Sequence, residues 1–248
     1  LPSLTIGCGT YGGNSVSQNV GAANLINIKK VAKRRNMTQW FKVPSQVFFE
    51  RNSVQVLSGI PGISKVFIVT SESQMKNRSI DKVLYQLEKH PSNIQYEVLY
   101  DIEPEPDIES VKRGAERMQK FQPDCLIALG GGSVLDASKA MWLFYEHPEA
   151  DFNSLKQKFF DPSKRVVTFP ALRGKAIFVA IPTTSGTGSE VTSFSVISDK
   201  KSNIKYPLAD FQLTPDLAIV HPQFVMTVPK RVTADTGMDI LTQAIASY

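Results

Sequence analysis

Leu126-Ile127-Ala128-Leu129-Gly130-Gly131-Gly132-Ser133 runs from an unbroken apolar segment directly into three glycines and a hydroxyl. Consecutive apolar residues without alternation predict a strand covered on both faces, the pattern of a parallel sheet. Glycines let a backbone approach a ligand closely. A helix predicted over Ser133 to Glu146 opens just behind them and offers free N–H groups with a partial positive charge. An open α/β sheet binds phosphate at this position. Asp136 lies one turn into that helix. The spacing is not G-x-G-x-x-G, so a tight strand-to-helix turn without a ligand is the alternative reading.

Outward from this turn, strands are predicted at Lys65–Thr70, Ile94–Tyr100, Ala176–Ile181 and Leu217–Val220. One helix is expected over about 73 to 89, with Ile80, Val83, Leu84 and Leu87 on one face, and another over Asp107–Phe121, with Ile108, Val111, Ala115 and Met118 as its stripe. Strands alternating with helices of this length predict an α/β fold, a Rossmann-like parallel sheet with helices on both faces. A second polar loop, Pro182-Thr183-Thr184-Ser185-Gly186-Thr187-Gly188-Ser189-Glu190, follows another apolar strand and could wrap phosphate or ribose. It is not a P-loop, because no Lys-Ser/Thr pair follows its glycines, and it carries no G-x-S-x-G elbow. A plain glycine-rich turn remains the alternative. Two such loops at successive strand ends favour a nucleotide crevice over either loop alone.

Residues 1–40 lack helical periodicity and are rich in turn formers around Gly7 to Asn14, so they read as a linker, a hairpin or arm. Residues 41–230 form the α/β unit. At 231–248 a helix begins in which Met238, Leu241, Ile245 and Tyr248 make an apolar stripe without a stop signal, the expected start of a further, truncated helical domain.

No apolar run is long enough to span a membrane, and no signal segment opens the chain. The net charge of +5 is spread out, apart from Lys29-Lys30 and Lys33-Arg34-Arg35. Without an aromatic platform, that cluster reads as a solvated face or a subunit contact and not as a nucleic-acid site. Cys8 and Cys125 are expected as free thiols in a reducing cytoplasm, Cys125 as a small core residue. His90, His147 and His221 stand at no metal-ligand spacing and are expected at the surface or in loops.

These segments resemble the iron-dependent alcohol dehydrogenase family. The matching stretches are Gly130–Ser133 with Asp136 and Lys139, Pro182–Glu190, and Gly237-Met238-Asp239. The resemblance to the bifunctional aldehyde-alcohol dehydrogenases is closer, through Ala140-Met141-Trp142, Tyr145–Glu149, Lys205–Asp210 and a linker-like 1–40. It implies an NAD-binding α/β domain followed by a helical domain bearing iron, and reversible hydride transfer between NADH and a short aldehyde such as acetaldehyde. It implies homo-oligomer or filament contacts through the linker. Gly131, Gly132, Ser133 and Asp136 would belong to the pyrophosphate motif, Thr183, Thr184 and Thr187 would line the nicotinamide side, and Lys205 would bond the nicotinamide ribose. Ser71 stands where an acidic residue usually holds the adenine ribose. Glu72 beside it favours NAD over NADP, while Lys76 and Arg78 pull the other way. Asp239 matches the family's metal-binding Asp, but Gln243 stands at its first His and Ser247 at an acidic position. An amide is a far weaker iron ligand than imidazole. The competing readings are a non-catalytic assembly module and a metal-dependent lyase of related fold, against which Tyr206–Asp210 argues.

Overall fold

The computed structural model describes residues 42–155, 169–200, 202 and 204–247. The expectations for residues 1–40, Cys8 and Tyr248 lie outside them. Six strands form one wholly parallel sheet: β1 (Gln46–Phe49), β2 (Lys65–Val69), β3 (Gln95–Leu99), β4 (Cys125–Gly130), β5 (Ile177–Pro182) and β8 (Leu217–Val220), in the order β1-β8-β5-β4-β2-β3. β6 (Phe194–Asp199) and β7 (Ile204–Ala209) pair separately as an antiparallel ribbon.

The sheet is layered as the apolar runs require. Along β4 every residue is buried, with Leu126 and Ala128 in one core and Cys125, Ile127 and Leu129 in the other. β2 and β5 divide the same way, Phe67, Val69, Phe178 and Ala180 against Val66, Ile68, Val179 and Ile181. Side chains alternate across a strand, so a continuous apolar run feeds a core on each face. α3 (Ile108–Phe121) and α4 (Gly132–Glu146) contribute to the first core, α2 (Ser79–Glu88) and a 3-10 turn at Ser53–Gly59 to the second. α4 is buried nearly all round. Gly114 brings α3 close to it, since a β-carbon there would sit 2.5 Å from Met141 Sδ. Asp107 caps α3 by accepting from Ser110 N–H at 2.8 Å.

One expectation is corrected. The single helix over 73 to 89 is two, α1 (Glu72–Lys76) and α2, because Arg78 takes a left-handed φ of 57° between them. His90 and His221 lie in loops, as expected, and are buried there. His90 Nε2 meets Ile60 O at 2.8 Å, and the His221 ring packs on Phe224 at 4.9 Å. The β6–β7 ribbon and β1 were not anticipated.

Cys125 sits in β4 with no exposed surface, and burial pushes its thiol up well above the ordinary range. Thiolate is the reactive form. The Cys125 peptide should therefore carry no maleimide after native labelling and full label after denaturation, read by mass spectrometry. Rapid native labelling would contradict this burial.

Candidate functional site

Both glycine-rich loops leave the carboxyl edge of the sheet, after the adjacent strands β4 and β5. Gly131 is the N-cap of α4 and supplies no side chain to its first turn, so the helix N-terminus is left for an external partner. The loops touch. A β-carbon on Gly131 would lie 3.2 Å from Thr184 Cγ2, and one on Gly132 would lie 2.7 Å from Thr187 Cγ2. Thr183 N–H donates to Gly130 O at 3.0 Å and extends the β4–β5 ladder into the loops. The structure thus brings Gly131, Gly132, Ser133, Thr183, Thr184 and Thr187 together.

Asp136 faces the protein. Its Oδ1 accepts from Ser189 Oγ at 2.8 Å, its Oδ2 accepts from Val196 N–H at 2.9 Å, and its backbone carbonyl accepts from Ser195 Oγ at 2.7 Å. Burial pushes its carboxyl up, against the Val196 N–H, Lys139 and Ser189, which pull it down. One turn later Lys139, fully buried, donates from Nζ to Thr192 O at 2.7 Å and Phe194 O at 2.8 Å. Burial lowers its ammonium to about 8, with Asp136 and Glu190 opposing the shift. Lys139 belongs to the matching motif, but no role for it could be read from sequence. Its place three residues after Asp136, on the same helix face, was the available signal.

At the end of β2, Thr70 Oγ1 donates to Leu129 O at 2.7 Å. Ser71 begins α1, its Oγ 2.9 Å from Ser73 Oγ. Glu72 pairs with Lys76 at 3.0 Å, and Arg78 pairs with Asp81 at 2.7 Å. Gln74, which the sequence did not single out, is buried and donates from Nε2 to Thr183 Oγ1 at 3.3 Å, linking α1 to the second loop, while its Oε1 is buried without a partner. Lys205 is on β7 and donates to Glu105 at 2.6 Å. Its described hydrogen bond is to that carboxylate and not to either loop.

Beyond two short helices, α5 (Phe152–Leu155) and α6 (Pro222–Val225), α7 (Lys230–Ser247) meets the second loop at Gly186, where a β-carbon would lie 2.6 Å from Thr236 Cβ. Thr236 is half-buried, whereas Met238, Leu241 and Ile245 are exposed. Asp239 and Gln243 stand one turn apart, Gln243 Nε2 donating to Asp239 Oδ1 at 3.2 Å. Among the described residues no group of three or more His, Cys, Asp or Glu side chains could hold a metal. The donors present, one exposed carboxylate and one amide, do not fit an iron ion.

The family model for "Iron-containing alcohol dehydrogenase" matches residues 44–222. The chain is 56% identical, over its whole length, to an aldehyde-alcohol dehydrogenase of Streptococcus pneumoniae, of which it spans 28%. It is 45% identical over 84% of its length to an NADPH-dependent butanol dehydrogenase of Clostridium saccharobutylicum, of which it covers 51%. A solved sulfoacetaldehyde reductase of Bifidobacterium kashiwanohense in complex with NAD+ superposes with a TM-score of 0.69 at 28% identity, covering 85% of this chain and 53% of that one. The chain therefore spans from about a quarter to half the length of these proteins. The parallel sheet, the paired loops at its carboxyl edge and the matched span agree, and the chain belongs to the iron-containing alcohol dehydrogenase family.

Proposed function

We propose that this chain binds NAD(H) across the carboxyl edge of its sheet, as the nucleotide-binding part of an alcohol dehydrogenase that interconverts a short aldehyde, such as acetaldehyde, and its alcohol. The observation that carries the reading is the contact of the two loops through Gly131–Thr184 and Gly132–Thr187. The absent β-carbons leave a cradle over an uncapped helix N-terminus, which fits a pyrophosphate. The chemistry that a bound nicotinamide supplies is hydride transfer. The chain's own residues bind and orient. Backbone N–H groups at Gly131, Gly132 and Ser133 take the phosphates, Thr183, Thr184 and Thr187 flank the nicotinamide side, and Ser71 takes the adenine ribose. Lys205 reaches the nicotinamide ribose only by leaving Glu105. Asp136 supports the motif from behind.

Glu72, beside Ser71, supports a preference for NADH, because Lys76 is already paired with it and Arg78 with Asp81. The Clostridium relative's NADPH dependence makes this a test worth running. Titration of the chain with NADH and NADPH, followed by fluorescence or heat, should show saturable binding with NADH the tighter. Glu72→Lys should narrow or reverse the ratio. An absence of saturable binding of either nucleotide would sink the reading.

A further inference from the structure

We propose that Asp136 and Lys139 are positioning residues that hold the second loop in register with the first, setting the nicotinamide side of the site without touching the cofactor. The inference rests on the NAD(H) reading above. Its ground is a division of labour along one helix. The N-terminus of α4 forms the first loop, and its second turn ties down the segment that leaves the second. Asp136 takes Ser189 Oγ at the end of that loop and Val196 N–H in β6, while Lys139 takes the carbonyls of Thr192 and Phe194 between them. The span from 189 to 196 is thus fastened at four points to the element that carries the pyrophosphate cradle. Ser195 Oγ, donating to Asp136 O, adds a fifth.

Buried ionised groups are costly unless their hydrogen-bonding capacity is filled. Both carboxylate oxygens of Asp136 accept hydrogen bonds, and Lys139 Nζ donates to two carbonyls, with Thr192 Oγ1 at 3.4 Å as a third partner. A turn whose only task was to pack could use apolar residues here, as its neighbours Ala137, Ala140 and Met141 do. Charged donors and acceptors fix direction and register, which apolar packing does not. Because the clasp acts on the loop after β5 and leaves the Gly131–Gly132 turn in place, its loss should fall on one half of the dinucleotide.

The test compares NADH with ADP-ribose, which keeps the adenosine and pyrophosphate and lacks the nicotinamide. Asp136→Ala, Lys139→Met and the milder Ser189→Ala should weaken NADH about tenfold or more, the scale of losing a charge-assisted hydrogen bond, while ADP-ribose affinity changes less than about twofold. Asp136→Asn should keep most of the NADH affinity, since the amide can accept from Val196 N–H and donate to Ser189 Oγ. Thermal midpoints taken alongside separate binding from folding, and Ser189→Ala keeps the test open if the charge variants do not fold. Equal loss of both ligands, or NADH affinity unchanged in Ser189→Ala and Asp136→Ala, would overturn the proposal. A wild-type chain that binds neither ligand would overturn the NAD(H) reading itself.

Discussion

Gly186→Ala is expected to release α7 from the nucleotide domain, seen as a loss of hydrogen-exchange protection across residues 230–247. The added β-carbon would lie 2.6 Å from Thr236 Cβ, 2.8 Å from its carbonyl oxygen and 3.0 Å from its Cα. Two of these three atoms are backbone, so no side-chain rotation relieves the clash and the helix itself must shift. Overpacking of this kind costs about 1–3 kcal/mol or more. From 231 to 246 only Thr236 is even half-buried, so α7 has little else to hold it. NADH affinity should fall as well, because the shifted contact is in the second loop. Gly132→Ala makes the comparison. Its β-carbon meets the Thr187 methyl at 2.7 Å, a side chain that can turn, so NADH should weaken while α7 stays protected. Unchanged protection in Gly186→Ala would show that α7 is attached elsewhere.

A polypeptide of these 248 residues is expected to hold no stoichiometric iron and to give no detectable NADH oxidation with acetaldehyde. Catalytic metal sites use three or four protein ligands and an open position. The sequence has three histidines. His90 and His221 are buried in the second core region, and His147 sits between Glu149 Oε1 and Ala171 O, at 3.0 and 2.7 Å. None joins Asp239 in a group of three. Without carbonyl polarisation the transition state loses several kcal/mol, which is orders of magnitude in rate. Gln243→His adds one imidazole a turn from Asp239 and should raise iron affinity without reaching one ion per chain. Elemental analysis and the absorbance of NADH at its long-wavelength band give the readout. One tightly held iron per wild-type chain, with turnover, would refute the expectation.

The strands of the main sheet were legible where burial on both faces left an unbroken apolar run, as in β2, β4 and β5. β1 was not, because three of its four residues, Gln46, Val47 and Phe49, are exposed and leave no run buried on both faces. The break at Arg78 escaped notice because helical periodicity continues through Asn77-Arg78 and only one residue's φ changes sign. At the site, the glycines gave both loops their positions. What the sequence did not reveal was direction. Asp136 fits a cofactor motif by type and spacing, yet its carboxylate points at Ser189 and Val196, strands and loops more than fifty residues on. Gln74 carried no sign at all, since its partner Thr183 lies 109 positions away.

The pairing of β1 with β8 joins Gln46 to Leu217 and Phe49 to Val220. During synthesis the ribosome releases β2, β3 and β4 long before β8 exists, and these can pair among themselves as they emerge. β1 must wait, an unpaired strand, until some 170 further residues have been made. Long-range parallel pairing of this kind pays its loop-closure cost before any contact rewards it, which slows folding and leaves sticky edges exposed. The capture of the first strand of this sheet therefore cannot precede the synthesis of Leu217–Val220, however early that strand leaves the ribosome.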